Sequence, residues 1–115
     1  YHGIEAGIAL LPQTPIEYVL PGIEQIDHIL LFSGDIGHFG GVADLSILEK
    51  ARQIRQHSHR VEIGWDGGAL PENVAQIAEA GVEVIISGGF IQKAENSAEA
   101  YATLKALAES GIKNT

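Results

Sequence analysis

At 115 residues the chain has room for one modest core, and 45% hydrophobic with 19% charged residues is the balance of an ordinary soluble globular domain. Seven Lys and Arg against fifteen Asp and Glu give a net charge of −8, which argues against nucleic acid or an anionic membrane surface as partner. The absence of cysteine excludes disulfides, thiolate nucleophiles and thiolate metal sites together.

No apolar run approaches the roughly 20 residues that span a bilayer, and no charged-then-apolar leader opens the sequence, so the expectation is a cytoplasmic protein. Methionine is absent throughout, position 1 included, which predicts that these residues are part of a longer chain.

Runs rich in Ile, Val and Leu alternate with segments of helical period, the pattern of β/α units around a parallel sheet buried on both faces. The first strand is predicted over residues 3–11. Thr14 then caps a short helix with Pro15 at its first position and Glu17 closing a capping box, and Pro21 and Gly22 cut that helix short. The second strand covers 27–33, with the glycine-rich 34–41 as its exit loop. Asp44 or Ser46 caps the next helix, in which Leu48, Ala51 and Ile54 face inward while Arg52, Arg55 and Gln56 face water.

The third strand is predicted over 60–65. Its helix opens at Pro71, turns Val74, Ile77 and Ala78 inward and stops at Gly81. The fourth strand covers 83–87, and the last helix starts near Asn96 or Ser97 with Tyr101, Leu104, Ala108 and Ile112 along one side. Four such units form half of a (β/α)8 barrel. Half a barrel leaves two strand edges and an apolar inner face uncovered, so the expectation for the isolated chain is a homodimer in which a second copy closes the ring. A flavodoxin-like open sheet is the competing architecture. No linker or low-complexity tract interrupts the rhythm, so residues 1–115 read as one unit.

The chemistry concentrates where strands end. Val61-Glu62-Ile63-Gly64-Trp65 leads into Asp66-Gly67-Gly68, which brings a carboxylate to the mouth of a parallel sheet beside bare backbone N–H groups. Gly37-His38-Phe39-Gly40-Gly41 and Ser87-Gly88-Gly89 add two more glycine-rich turns after strands. Turns of this kind suit a phosphate, because a side chain would keep the amides from the oxygens. The bland alternatives are that Asp66 caps its turn and that the glycines serve turn geometry alone. By strand alternation Trp65 faces the helices if Asp66 faces the barrel. His57 and His59 read as surface residues, His28 as a satisfied core histidine inside an apolar strand, and His38 as the one histidine in a mouth loop.

In order and spacing, Leu11-Pro12-Gln13-Thr14-Pro15, Phe39-Gly40-Gly41, Asp66-Gly67-Gly68 and Ser87-Gly88-Gly89 resemble the C-terminal half of the ribulose-phosphate 3-epimerase family, strands five to eight of its barrel. The resemblance implies metal-assisted proton transfer at C3 of ribulose 5-phosphate. It also implies a phosphate grip at Gly37, Phe39, Gly40, Gly41, Gly67, Gly68, Gly88 and Gly89, with Asp66 as both catalytic base and ligand to a divalent cation. The other base and the histidine ligands of the family belong to strands two and three, outside this sequence, so the 115 residues alone are expected to be inactive.

The chain departs from the family pattern at Leu11 in place of Asn, Ile36 in place of Pro, an inserted His38, Val42 in place of Gln and Gly89 in place of Ser. Each change removes a polar contact or reshapes a mouth loop. Two alternatives follow: another phosphate-binding barrel of the hexulose-phosphate or thiamine-phosphate synthase type, or a half-barrel that binds phosphate without turnover.

Overall fold

A computed structural model describes residues 5–33, 45–86 and 94–113. Four parallel strands, β1 (Gly7–Leu10), β2 (His28–Phe32), β3 (Glu62–Asp66) and β4 (Val84–Ile86), lie side by side in sequence order. That order excludes the flavodoxin-like alternative, in which the chain reverses about its first strand. It is the order of consecutive staves in half of a (β/α)8 barrel. The register pairs His28 with Gly7 and Glu62, and Asp66 with Phe32 and Ile86.

Among the described residues three helices cover one face: α1 (Leu48–His57), α2 (Val74–Glu79) and α3 (Ser97–Lys113). Between this layer and the sheet lies the core, which includes Ile29, Leu31, Ile54, Ile63, Trp65 and Ile77, each at most 1% exposed. The strand residues among them occupy alternate positions, so the intervening set of Gly7, Ala9, His28, Leu30, Phe32, Glu62, Gly64, Asp66, Val84 and Ile86 forms the other face. On that face Val84 and Ile86 are 41% and 44% exposed. β1 and β4 each carry a neighbour on one side within the chain. Two uncovered edges and a partly apolar open face are what half a barrel leaves.

Several local expectations change. Thr14 is not a helix cap: Pro15 precedes a 3-10 turn over Ile16–Tyr18 and makes no side-chain cap bond, and a second such turn covers Leu20–Gln25. Asp44 lies outside the described residues, and Ser46 sits inside a 3-10 turn and not at the boundary of α1. That turn, Leu45–Ile47, runs straight into the helix, with Ile47 at the boundary making no side-chain bond. Arg55 does not face water; it binds the Val61 and Gly81 carbonyls at 2.7 and 2.9 Å and Glu83 at 2.6 Å. Leu48, Ala51 and Ile54 are buried as the period requires, as are Val74, Ile77 and Ala78, and Gly81 ends α2 at φ +106°.

Asn96 caps α3, its Oδ1 accepting the Glu99 N–H at 3.0 Å. The buried side of α3 runs through Ala100, Leu104 and Gly111, while Tyr101 is 58% exposed. A groove of about 480 Å³ lined by Val74, Ala78, Val82, Tyr101 and Leu104 opens beside it; Asp66 takes no part in its wall.

α3 packs chiefly on α2. At Gly111 the helices come so close that an added Cβ would lie 2.1 Å from the Ala75 carbonyl oxygen. Gly111→Ala therefore forces α3 off α2, and we expect a loss of about 2–3 kcal/mol in urea denaturation. Gly22→Ala, where no heavy atom lies within 4 Å of the added carbon, should stay within about 0.5 kcal/mol of wild type.

Candidate functional site

β3 shapes the mouth of the sheet. Trp65 is 0% exposed in the helix layer, so pleating turns its neighbour Asp66 to the inner face at the C-terminal end of the strand. The Asp66 carbonyl accepts the Ser33 N–H at 2.8 Å, which carries the ladder one residue past β2. The half-buried Asp66 carboxylate makes no hydrogen bond or ion pair with any described residue.

The chain then turns sharply through Gly67 and Gly68, at φ +127° and +68°. A Cβ on Gly67 would sit 1.7 Å from the Ser33 carbonyl oxygen, so only glycine allows the turn to cross the end of β2 at this distance. Three side-chain hydrogen bonds hold the turn. Trp65 Nε1–H donates to the Gly67 carbonyl at 3.0 Å, Asn73 Nδ2 donates to the Gly68 carbonyl at 2.9 Å, and Asn73 Oδ1 accepts the Leu70 N–H at 2.9 Å.

Of the residues expected at the mouth, the structure thus places Asp66, Gly67 and Gly68 together. Gly37, Phe39, Gly40, Gly41, Gly88 and Gly89 lie outside the described residues, as do Ile36, His38 and Val42. Lys50 went unnoticed in the sequence. From α1 its ammonium donates to the carbonyls of Pro12 at 2.7 Å and Thr14 at 2.6 Å, fixing the loop that leaves β1.

At the opposite end of the same face His28 stands between two carboxylates. Nε2 is 2.5 Å from Glu5 and Nδ1 is 3.0 Å from Glu62, a bridge across the starts of three strands. Both ring nitrogens donate only in the imidazolium, and the hydrogen bond to Glu5, helped by the one to Glu62, raises the His28 pKa above 6.5. Asp27, beside it, accepts the Ala6 N–H at 2.9 Å and pairs with Arg60; the bond from Ala6 foremost lowers its pKa below 3.8.

Because the two nitrogens address carboxylates on opposite sides of the ring, these three groups do not converge on one ion. Among the described residues no group of three or more His, Asp or Glu is placed to hold a metal. Nor is any helix among them long and apolar enough to cross a membrane.

Comparison with known proteins gives this arrangement its setting. The ribulose-phosphate 3 epimerase family pattern matches residues 1–92. The chain belongs to the ribulose-phosphate 3-epimerase family. It is 35% identical over 112 residues to ribulose-phosphate 3-epimerase 1 of Cupriavidus necator, covering 90% of this chain and 46% of the relative. It is 39% identical over 111 residues to the ribulose-phosphate 3-epimerase of Synechocystis sp., again covering 90% of this chain and 46% of that one. The chain thus spans somewhat less than half the length of these relatives. A chain in the crystal structure of the Amycolatopsis orientalis BexX/CysO complex shares the fold, with a TM-score of 0.72 at 16% identity over 97% of this chain and 44% of that chain.

The His28 bridge makes a prediction. A pKa raised by folding contributes stability that is complete below the unfolded value of 6.5 and disappears as pH rises through the higher folded value. The urea midpoint should therefore fall as pH rises above 6.5, and His28→Gln should flatten that fall. A wild-type midpoint that is level across this window would show that the bridge adds nothing. The Asp27 contribution has the opposite sign and is lost only on acidification towards and below 3.8, so the two separate cleanly.

Proposed function

We propose that the protein is a sugar-phosphate epimerase of the ribulose-phosphate type, and that residues 1–115 form its C-terminal half-barrel. The observation that carries this reading is Asp66, inward-facing at the end of β3 and followed by the Gly67–Gly68 turn, within the segment that matches the family. Epimerisation at C3 of ribulose 5-phosphate removes a proton from one face of the carbon, passes through an ene-diolate and returns a proton to the other face. A carboxylate with no competing partner among the described residues suits one of the two proton transfers. We assign that role to Asp66.

The glycine turns serve the phosphate in this proposal. Gly67 and Gly68 lie on the same rim as Asp66, and the expected grip extends to Gly37, Phe39, Gly40, Gly41, Gly88 and Gly89. A divalent cation would stabilise the ene-diolate, with Asp66 as one ligand. The described residues do not complete a coordination sphere. For the 115-residue chain alone we expect binding of a phosphorylated sugar without turnover, and pairing of two copies through the open edges of β1 and β4.

Millimolar phosphate should raise the melting temperature of the chain by preferential binding to the folded state; an unchanged melting temperature would count against the rim as an anion site. In the whole protein Asp66→Asn should lower kcat/KM for ribulose 5-phosphate by about a hundredfold or more while the phosphate-induced shift persists. Retention of full activity would remove Asp66 from the reaction. Sedimentation equilibrium should give twice the 12.2 kDa of one chain, and a monomer would refute the paired half-barrel.

A further inference from the structure

Two glycines in succession form the loosest dipeptide a chain can offer, and both sit here at positive φ. If their amides are to receive a phosphate, something must hold the peptide planes. Two side chains are placed to do so. The Trp65 indole N–H reaches past Asp66 to the Gly67 carbonyl at 3.0 Å, and the Asn73 amide holds the Gly68 carbonyl at 2.9 Å.

In a trans peptide the carbonyl and the next N–H point in opposite directions, and no cis bond occurs among the described residues. Trp65 is 0% exposed in the helix layer. By drawing the Gly67 carbonyl towards that layer, it turns the Gly68 N–H away from the helices, towards the side of the strand end that Asp66 occupies. The Gly68 N–H has no acceptor among the described residues.

We propose that Trp65 and Asn73 are positioning residues, which lock the Gly67–Gly68 turn with its amide aimed at an incoming phosphate oxygen. The inference rests on reading this rim as an anion site. Packing alone does not require Trp65 to make this bond, since a buried indole can fill its place in the core without its N–H meeting the Gly67 carbonyl. The benefit is preorganisation: the entropy of ordering a Gly-Gly turn is spent during folding and not again when the ligand arrives.

The test compares wild type, Trp65→Phe and Asn73→Ala in the 115-residue chain, titrated with inorganic phosphate and followed by the amide resonance of Gly68. Trp65→Phe removes the donor and keeps an aromatic ring in the core, at the cost of the space the five-membered ring of the indole filled. The expected result is that both variants fold and that the Kd for phosphate weakens roughly three- to tenfold in Trp65→Phe, the factor that one lost hydrogen bond carries, and at least as much in Asn73→Ala, which loses both of its bonds to the turn.

A role confined to packing would lower the melting temperature and leave the Kd within about twofold of wild type, and that outcome overturns the proposal. If Trp65→Phe does not fold, Asn73→Ala carries the same comparison, because its side chain is only partly buried. A wild-type chain that responds to phosphate while its folded variants respond equally removes the positioning role alone. A wild-type Gly68 amide that ignores phosphate removes the anion site and this inference together.

Discussion

The constraint on which the mouth depends is the two-residue period of β3, pinned by a single buried indole. A strand between two others cannot slip by one residue without turning its whole apolar set to the wrong face. Here slipping would move Ile63 and Trp65 out of the core and drive Glu62, Gly64 and Asp66 into it. Burying a Trp stabilises the fold by several kcal/mol, and burying an unpaired carboxylate costs at least as much. Both terms act in the same direction. The placement of Asp66 on the inner face is thus a consequence of packing on the outer one, and the acid is held without any hydrogen bond of its own to a described residue.

A second theme is how the acidic chain spends its few cations. Seven Lys and Arg are available, and three of them end on backbone carbonyls of connecting loops. Lys50 closes the loop after β1, Arg55 ties the approaches to β3 and β4, and Arg60 gathers the Glu24 and Ile26 carbonyls at 2.9 and 2.7 Å while pairing with Asp27. Half-buried carbonyls in short loops need donors, and a long cationic side chain supplies several at once. Exposed ion pairs would have contributed little. The loops at both ends of the sheet are therefore held by directed bonds, and Lys50 works at the same end as Asp66.

Much of this architecture is legible in the sequence because it follows from period. Alternating apolar runs and helical stripes identify four β/α units, and all four strands appear in order, each shorter at one or both ends than its apolar run suggests. Strand ends are set by where a partner strand stops, which a single run does not record; β3 begins at Glu62 and runs on to Asp66 where its apolar run suggests 60–65. Capping at Thr14 fails for a related reason, since a 3-10 turn with Pro15 at its boundary occupies that entrance. Asn96, which precedes an uninterrupted helix, does cap.

The interactions hardest to read are those that join distant positions. Arg55 looks like a solvated residue on a helical wheel until β3 and β4 bring Val61, Gly81 and Glu83 beneath it. His28 reads as a satisfied core histidine inside an apolar strand, but it is part-exposed on the open face, and only the parallel register, which sets it against Glu62, identifies its partner there. Trp65 is the instructive case. Its burial follows from the pattern of β3, but its bond to the Gly67 carbonyl exists because two glycines fold the chain back over the strand end. The same substitution-intolerant turn that lets the backbone pass Ser33 also brings a carbonyl within reach of the indole, so the residue that fixes the direction of Asp66 fixes the shape of the turn beside it.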